Sequence, residues 1–299
     1  MFYNKGERIL FTNYSQLSSF LGSIPNELNF SLKTLNSFGT GGSAKLVVFP
    51  RDTNELITTI NAVKGSYNYV VLGCGSNVLI SDSGFDGVVI STKNVNSISF
   101  KSNLLTADCG AKISSVVKEM SDNCFSGLEF LVGVPASVGG AVAMNAGCFN
   151  KSIADSVKYV TTEVKTYSKS ECDFSYRHSR FLNGETIIKV CFLMENSEED
   201  VILEKLKSYK FARRNPKGKT CGSVFKNDGY FAGKIIDEVG LKGYKVNGAQ
   251  ISNEHANFIV ASETATSKDI YNLIKTVKEK VYKEKQILLS EEVIYIGEF

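Results

Sequence analysis

The chain has 299 residues, of which 43% are hydrophobic and 22% are charged, and its formal net charge is +3. This composition excludes a disordered or fibrous chain, and the length suggests about two domains. Because 34 basic residues are interspersed with 31 acidic ones, no nucleic-acid-binding face is indicated.

The seven cysteines form no Cys-x-x-Cys pair and no cluster with histidines. This spacing predicts neither a disulfide framework nor a metal site, and free thiols are typical of a reducing compartment. Lys5, Glu7 and Arg8 interrupt the apolar residues at the start, so we expect no secretory signal. No run approaches the ~20 apolar residues that span a bilayer. We therefore expect a cytoplasmic protein without membrane contact.

Strand and helix patterns alternate in the first third of the chain. Short apolar strands are predicted over 45–50, 69–73 and 87–92, and the apolar residues of 54–65 recur at helical spacing. This alternation is typical of an α/β unit.

Strand patterns dominate between 104 and 194. They are interrupted by one clear helix over 112–120, and AVAMNAG, residues 141–147, is also predicted as a strand. Residues 197–214 begin with a serine and three acids and end in basic residues, which suits the dipole of a helix. We expect this helix to lead into a third lobe.

The last third predicts two helices and two strands. Residues 231–243 predict a helix that ends at Gly240, and 255–261 predict a strand. Residues 267–285 carry apolar side chains at spacings of three and four, with Ser267 as the expected N-cap. The terminal residues 291–299 predict a last strand.

A glycine-rich turn follows the predicted strand 69–73. Gly75, Ser76 and Asn77 directly follow Gly73 and Cys74, and successive free N–H groups in such a turn can form an anion-binding concavity. The spacing is neither the dinucleotide fingerprint nor a P-loop. An ordinary turn without a ligand is the alternative.

A second stretch, residues 133–147 (GVPASVGGAVAMNAG), lacks bulk and charge. An extended ligand could lie against its bare backbone, with Ser137 and Asn145 as hydrogen-bond donors. Close packing of the segment against a sheet is the alternative. Two such stretches in one chain favour a long ligand with a central pyrophosphate, such as a dinucleotide.

Several segments resemble the UDP-N-acetylenolpyruvoylglucosamine reductase family, the flavoenzymes of peptidoglycan precursor synthesis. They are GLEFLVGVPASVGGAVAMNAG, NSFGTGGSAK, LGCGSNVLISDSGFDGVVI, FSYRHSRF, CGSVFKN, AGKIIDEVGLKGYKVNGAQISNEHANFIV and EEVIYIG. The resemblance implies an α+β protein with a FAD-binding fold of the vanillyl-alcohol-oxidase (PCMH) type. Its two lobes are expected over 1–93 and 94–207, followed by an α+β substrate-binding domain over 208–299. The short segment between 181 and 223 resembles the shorter (type II) class of the family, and we expect a monomer.

The resemblance implies that the two glycine stretches bind FAD. The expected cofactor-binding residues are Gly73, Gly75, Ser76, Asn77, Val78, Gly133, Val134, Pro135, Ser137, Gly140, Ala141, Asn145 and Ile188. Ala136 stands where the family usually has glycine, and its methyl group is tolerable only if φ is negative there.

The family reduces the double bond of UDP-N-acetylglucosamine enolpyruvate to give UDP-N-acetylmuramate, with NADPH reducing the FAD first. Hydride delivery to the vinyl terminus leaves a carbanion beside a carboxylate, which needs positive charge, hydrogen-bond donors and then a proton at carbon. The resemblance implies that Arg177 stabilises this enolate and that Ser223 donates the proton. It also implies that Glu292 supports the carboxylate. Glu291 is the neighbour that could be confused with it, since a strand sends the two to opposite faces.

Arg213, Arg214, Lys226 and Asn227 are expected to contact the UDP portion of the substrate, because basic groups suit phosphates. The alternative for Arg213 and Arg214 is that they only form the basic end of an ordinary helix. His255 is expected to support the fold rather than the chemistry.

Two other functions remain open. One is a flavin oxidase or dehydrogenase of small alcohols, although neither glycine stretch contains a histidine for covalent attachment of the flavin. The other is a flavin- or nucleotide-sugar-binding module without activity. The joint presence of Arg177, Ser223 and Glu292 argues against it.

Overall fold

The computed structural model describes residues 13–213 and 215–299. The start of the chain, on which the expected absence of a secretory signal depends, lies outside the described residues, and so does Arg214. Within the described ranges, no helix combines the length and apolar character needed to cross a membrane. The same ranges contain no group of His, Cys, Asp and Glu side chains that could hold a metal ion.

The elements follow the chain in this order. The helices are α1 (Tyr14–Leu21), α2 (Thr53–Val63), α3 (Ile113–Asp122), α4 (Val138–Ala143), α5 (Glu199–Ala212), α6 (Ala232–Glu238) and α7 (Ser267–Lys285). The strands are β1 (Asn26–Leu28), β2 (Ala44–Val48), β3 (Tyr69–Leu72), β4 (Val78–Ile80), β5 (Phe85–Ser91), β6 (Ile98–Lys101), β7 (Leu104–Asp108), β8 (Phe125–Ser126), β9 (Gly147–Cys148), β10 (Lys151–Ser152), β11 (Val157–Thr162), β12 (Thr166–Ser168), β13 (Ile187–Leu193), β14 (Glu195–Asn196), β15 (Lys245–Val246), β16 (Ala249–Ile251), β17 (Ile259–Ala261) and β18 (Ile294–Ile296).

The first lobe is built on the sheet β1-β2-β5-β3. Strands β2 and β3 both pair parallel with β5, and α2 makes the crossover between them. Asp52 caps α2 by accepting hydrogen bonds from the N–H groups of Asn54 and Glu55 at 2.9 Å. The helix then buries Leu56, Ile60 and Val63, as its apolar spacing predicted, which confirms the α/β alternation of this region.

The second lobe is the five-stranded antiparallel sheet β12-β11-β13-β7-β6. Helix α3 buries four apolar side chains, Ile113, Val116, Val117 and Met120, at spacings of three and four residues. The strands expected between 104 and 194, apart from 141–147, are present as β7, β11 and β13, and the helix predicted over 112–120 is confirmed as α3.

The prediction of a strand over 141–147 is wrong, because most of this stretch lies in α4 and the turn after it. Ser137 caps the helix by accepting a hydrogen bond from the N–H of Gly140 at 3.3 Å. A Cβ atom at Gly139 would lie 3.0 Å from Cβ of Cys109, so the small residues let this helix pack closely on the residue after β7. A short apolar run does not distinguish such a helix from a strand.

The C-terminal region has a small antiparallel sheet, β15-β16-β17, packed against α7. The helix predicted over 231–243 is present as α6, and Gly240 follows its end with φ +68°. Helix α7 is also confirmed, but its N-cap is Thr266, not Ser267: the Thr266 hydroxyl accepts from the N–H of Asp269 at 3.1 Å. Only Ile259–Ala261 of the strand predicted over 255–261 is extended, because His255 and Phe258 close a turn.

The last strand of the chain returns to the first lobe. Strand β18 pairs parallel with β4, with Ile294 opposite Val78 and Ile296 opposite Ile80. In the other direction, Phe38 of the first lobe is fully buried in the apolar core of the C-terminal region. The expected third domain, 208–299, is therefore interlocked with the expected first one.

Asp82 joins the same two regions through the start of α7. Its carboxylate accepts hydrogen bonds from the N–H groups of Ser267 and Lys268, at 3.0 and 2.9 Å. Because the Thr266 hydroxyl accepts from the N–H of Asp269, the first three N–H groups of α7 all have an acceptor. Two of them bond to Asp82, which is far from α7 in sequence.

We expect Asp82→Ala to lower the free energy of unfolding by about 1 to 2 kcal/mol, as the loss of a helix cap does. Urea denaturation followed by circular dichroism measures it. Asp86→Ala is the control, since Asp86 is exposed and its carboxylate accepts no hydrogen bond from another described residue. An equal loss in both variants would contradict the capping role.

Candidate active site

A cavity of about 900 Å³ lies where the two lobes and the C-terminal region meet. The expected site residues that line it are Gly73, Gly75, Ser76, Asn77, Val78, Val134, Pro135, Ser137, Gly140, Ala141, Arg177, Arg213, Ser223 and Glu292. The structure thus brings the three expected catalytic residues and most of the expected cofactor-binding residues to one cavity.

Five expected residues lie outside its lining. The Asn145 amide donates to the Ser175 carbonyl at 2.8 Å and accepts from the N–H of Ala154, so it holds the wall behind the cavity. Ile188 is buried, with 3% of its surface exposed. Gly133, Lys226 and Asn227 are near the cavity without lining it.

The turn at 73–78 has the features expected of an anion-binding concavity. The N–H groups of Cys74, Gly75, Ser76 and Asn77 donate to no other described residue, and all four residues face the cavity. Gly75 has φ +62°, and a Cβ atom there would lie 2.1 Å from the Leu35 carbonyl oxygen. Packing alone therefore requires glycine at 75, but the four free donors are groups that a pyrophosphate would satisfy.

The two glycine stretches are in direct contact. A Cβ atom at Gly73 would lie 2.0 Å from Oγ of Ser137, so only glycine lets the turn approach the N-terminus of α4. One continuous surface of exposed backbone results. The residues present therefore fit an extended dinucleotide such as FAD.

Ala136 belongs to the same surface. It is not among the described residues with positive φ, and its carbonyl accepts a hydrogen bond from the N–H of Ile113 at 2.9 Å. The methyl group that replaces the family's glycine is thus compatible with the local backbone.

Arg177 lies at the tip of a tight turn closed by Ser175 and His178. Its φ is +53°, a conformation that costs a non-glycine residue on the order of 1 kcal/mol. Two contacts hold the side chain there: Nε donates to Oε1 of Glu292 at 2.7 Å, and Nη2 donates to the Gly147 carbonyl at 3.0 Å. The turn thus presents a fixed positive charge to the cavity.

Glu292 is held at its backbone as well as at its carboxylate. Its N–H donates to the Val224 carbonyl at 2.7 Å, and its own carbonyl accepts from Nδ2 of Asn77 at 3.0 Å. Burial raises the pKa of the Glu292 carboxyl above its usual range, and the Arg177 guanidinium opposes this shift only in part. A proton donor or a paired carboxylate is therefore available at this position.

Glu291 and Glu292 point in opposite directions, although both precede β18 instead of lying within it. Glu291 forms an ion pair with Lys278 at 2.7 Å, and only Glu292 of the two lines the cavity. The extended backbone before the strand, bridged to Phe225 at residue 291, separates the two carboxylates.

Ser223 follows Gly222 in an extended segment bridged to Phe258. It is half-buried and lines the cavity, and its hydroxyl makes no hydrogen bond to another described residue. The preceding thiol, Cys221, is fully enclosed, and burial raises its pKa to about 12. The hydroxyl of Ser223 is thus more accessible from the cavity than the buried thiol of Cys221.

Asn257 is a residue that the sequence analysis missed. Its amide accepts from the N–H of Phe225 at 2.9 Å and donates to the carbonyl of Phe225 at 2.8 Å, and its own carbonyl accepts from the N–H of Val224. This buried side chain fixes the segment that carries Ser223. Asparagine before an apolar run gives no signal of such a role in a sequence.

Arg213 lies on the wall made by the second glycine stretch. Its Nη2 donates to the Phe130 carbonyl at 2.8 Å and to Sγ of Cys148 at 3.0 Å, and a Cβ atom at Gly133 would lie 3.2 Å from its Cδ. Its buried Nε has no hydrogen-bond partner in the described part of the chain. Arg213 therefore keeps one buried donor unsatisfied beside the surface expected to bind FAD.

Lys226 and Asn227 hold the segment after Ser223. The N–H of Lys226 donates to the Ser290 carbonyl, and Oδ1 of Asn227 accepts from the N–H of Ala232, which caps α6. The N–H of Asn227 donates to the hydroxyl of Tyr176, the neighbour of Arg177, at 3.0 Å.

His255 lines the cavity, with Nδ1 accepting from the N–H of Asn257 at 3.2 Å. Burial lowers the pKa of its imidazole, which favours a neutral ring. Its contacts agree with the structural role expected from the sequence.

Two family descriptions match the chain. Residues 214–296 match the C-terminal domain of UDP-N-acetylenolpyruvoylglucosamine reductase, and residues 44–166 match a FAD binding domain.

Relatives of the same description cover nearly the whole chain. The UDP-N-acetylenolpyruvoylglucosamine reductase of Caldicellulosiruptor saccharolyticus is 40% identical, over 90% of this chain and 91% of its own. That of Borreliella burgdorferi is 36% identical, over 92% and 99%. The crystal structure of UDP-N-acetylenolpyruvylglucosamine reductase from Thermus caldophilus matches with a TM-score of 0.80 at 33% identity, covering 92% of this chain and 99% of that one.

We expect the raised pKa of Glu292 to appear in the pH dependence of stability. In the folded protein, the Glu292 carboxyl group keeps its proton over a pH window in which the unfolded chain has already released it. The free energy of unfolding therefore decreases as pH rises through this window. Glu292→Gln removes this part of the dependence, and Glu291→Gln keeps it. Urea unfolding between about pH 4 and about pH 8 measures both, and identical profiles for wild type and Glu292→Gln would contradict the assignment.

Proposed function

The chain belongs to the UDP-N-acetylenolpyruvoylglucosamine reductase family, and we propose that it reduces UDP-N-acetylglucosamine enolpyruvate to UDP-N-acetylmuramate. The bound cofactor is FAD and the hydride donor is NADPH. The observation that supports this most strongly is that Arg177, Ser223 and Glu292 line one cavity with both glycine stretches.

The proposal extends to the role of the protein in the cell. The product is a precursor of peptidoglycan, so the enzyme serves cell-wall synthesis and, through it, cell shape and division. We place the enzyme in the cytoplasm and propose that it acts as a monomer, because one chain supplies the whole set of site residues.

FAD would be held by the two glycine stretches. Its pyrophosphate would suit the free N–H groups of residues 74–77. Bound there, FAD would supply the redox chemistry, which is hydride transfer from NADPH to the vinyl terminus of the substrate. Residues of the protein must then stabilise the negative charge that hydride addition leaves and deliver a proton to carbon.

Arg177 and Glu292 bind the carboxylate end of the substrate. The guanidinium remains protonated, so it stabilises the enolate without losing its charge. The raised pKa of Glu292 lets its carboxyl group keep a proton and donate a hydrogen bond to the same enolate. Their 2.7 Å contact keeps the two groups in place before the substrate arrives, which lowers the cost of reorganisation.

Ser223 completes the reaction by giving its hydroxyl proton to the carbon beside the carboxylate. The enolate electron pair forms the new C–H bond, and the serine oxygen is left as an alkoxide that must regain a proton. Serine is a weak acid, so this step requires a site from which water is excluded. The half-buried Ser223, without a competing partner among the described residues, suits it. Lys226 and Asn227 would interact with the UDP portion beyond this point.

An anaerobic visible spectrum tests the proposed function directly. The purified protein with FAD should bleach on addition of NADPH and recover its colour on addition of UDP-N-acetylglucosamine enolpyruvate. Bleaching without recovery would exclude this substrate while retaining the flavin site. Failure to bind FAD would overturn the assignment of both glycine stretches.

We expect Ser223→Ala to leave flavin reduction by NADPH unchanged and to slow reoxidation by the sugar nucleotide ~10²–10⁴-fold, the usual contribution of a general acid. Stopped-flow absorbance measures the two half-reactions separately. Ser262→Ala, an exposed serine of the same region, is the matched control and should reoxidise at the wild-type rate. Equal reoxidation rates for Ser223→Ala and wild type would remove Ser223 from the mechanism.

We expect Glu292→Gln to slow the same half-reaction about 10²-fold, comparable to the loss of one group that stabilises an oxyanion. The amide cannot release a proton or form the ion pair with Arg177. Glu291→Gln, which disrupts the pair with Lys278 instead, should have little effect in the same stopped-flow measurement. If Glu291→Gln is the damaging change, the register assigned to the two carboxylates is wrong.

A further inference from the structure

The side chain of Asn77 contacts the expected catalytic segment. Asn77 belongs to the glycine turn at 73–78, yet its Nδ2 donates to the backbone carbonyl of Glu292 at 3.0 Å, across 215 positions of sequence. Its own backbone carbonyl accepts from the N–H of Ile294 at 3.0 Å. One residue of the turn thus holds the chain on both sides of Val293.

The other side of Glu292 is bonded to the segment that carries Ser223. The N–H of Glu292 donates to the carbonyl of Val224 at 2.7 Å. The peptide groups of Glu292 are therefore held between the turn and the segment next to Ser223. Among the described residues, the bond to the backbone of Glu292 that comes from a side chain is that of Asn77, and a substitution can therefore remove it selectively.

We propose that Asn77 is a positioning residue for Glu292, which acts on the reaction through that carboxylate. This inference rests on the proposed function. The turn binds the cofactor through its backbone N–H groups, and the Asn77 side chain sets the position of Glu292 against Arg177.

The physical basis is the precision that the Glu292 carboxylate needs. β18 does not begin until Ile294, so Glu292 lies before the strand, where its N–H bonds to the Val224 carbonyl. The bond from Asn77 holds the backbone carbonyl of Glu292. A displacement of about 1 Å at a catalytic group can cost ~10²-fold in rate, so loss of this bond should affect the step in which Glu292 takes part.

The alternative role for the same side chain is a direct contact with the cofactor, as the family resemblance implies. The two roles predict different defects. A cofactor contact would affect FAD affinity and flavin reduction, whereas a positioning role would affect reoxidation by the sugar nucleotide.

The test compares Asn77→Ala with Asn26→Ala. Asn26 also donates to a backbone carbonyl, that of Ile24, at 2.9 Å, but it lies in β1, away from the cavity lining. We expect Asn77→Ala to bind FAD within about twofold of wild type and to be reduced by NADPH at the same rate, while reoxidation slows ~10–10²-fold. Asn26→Ala should match wild type in all three. Weaker FAD binding with normal reoxidation would overturn the proposal.

A double variant shows whether Asn77 acts through Glu292. If it does, adding Asn77→Ala to Glu292→Gln should slow reoxidation less than twofold further, because the group that Asn77 positions is already lost. Multiplied effects of the two substitutions would overturn the proposal. Asn77→Asp, which keeps the size of the side chain, replaces Asn77→Ala if that variant does not fold.

Amide hydrogen exchange of residues 291–297 in the FAD-loaded protein tests whether Asn77 holds the backbone of Glu292, and it needs no substrate. Exchange should rise in Asn77→Ala and remain unchanged in Asn26→Ala, and no rise would overturn the proposal. Failure of the wild-type protein to reoxidise would count against the proposed substrate, and the exchange result would still decide whether Asn77 holds Glu292.

Discussion

The parallel pairing of β18 with β4 is the contact on which the site depends. It carries the end of the chain back to the first lobe and brings Glu292 beside the turn at 73–78. The backbone of Glu292 also bonds to Val224, next to Ser223. One extended segment therefore connects the surface that suits the cofactor with the groups that suit the substrate.

The glycines of the cavity have two functions that the structure separates. At Gly73 and Gly75, a side chain would collide with Ser137 or with the Leu35 carbonyl, so the packing of the chain itself excludes one. The same close packing leaves a run of N–H groups at 74–77 without acceptors among the described residues. Unpaired donors are costly in a folded protein, which is why a bound anion is the natural partner for this turn.

Burial and the ion pair with Arg177 have opposite effects on the pKa of Glu292. Taking a carboxylate out of water is unfavourable and raises the pKa of Glu292, while Arg177 at 2.7 Å favours the ionised form. Burial has the larger effect, so the pair is poised to hold a proton as well as a charge. Arg177 reaches this position only because its turn accepts a positive φ, and its two side-chain contacts offset that strain.

The sequence by itself determined the helices with strong apolar periodicity, such as α2, α3 and α7, because their packing face is encoded locally. The family motifs likewise indicated Arg177, Ser223 and Glu292. Only the tertiary structure decided that 138–143 is a helix, since its small residues gain their conformation from packing on Cys109. It also decided the contacts of Asn77, Asp82 and Asn257, whose partners lie between 32 and 215 positions away. No local pattern records such partners, because they exist only once the chain has closed on itself.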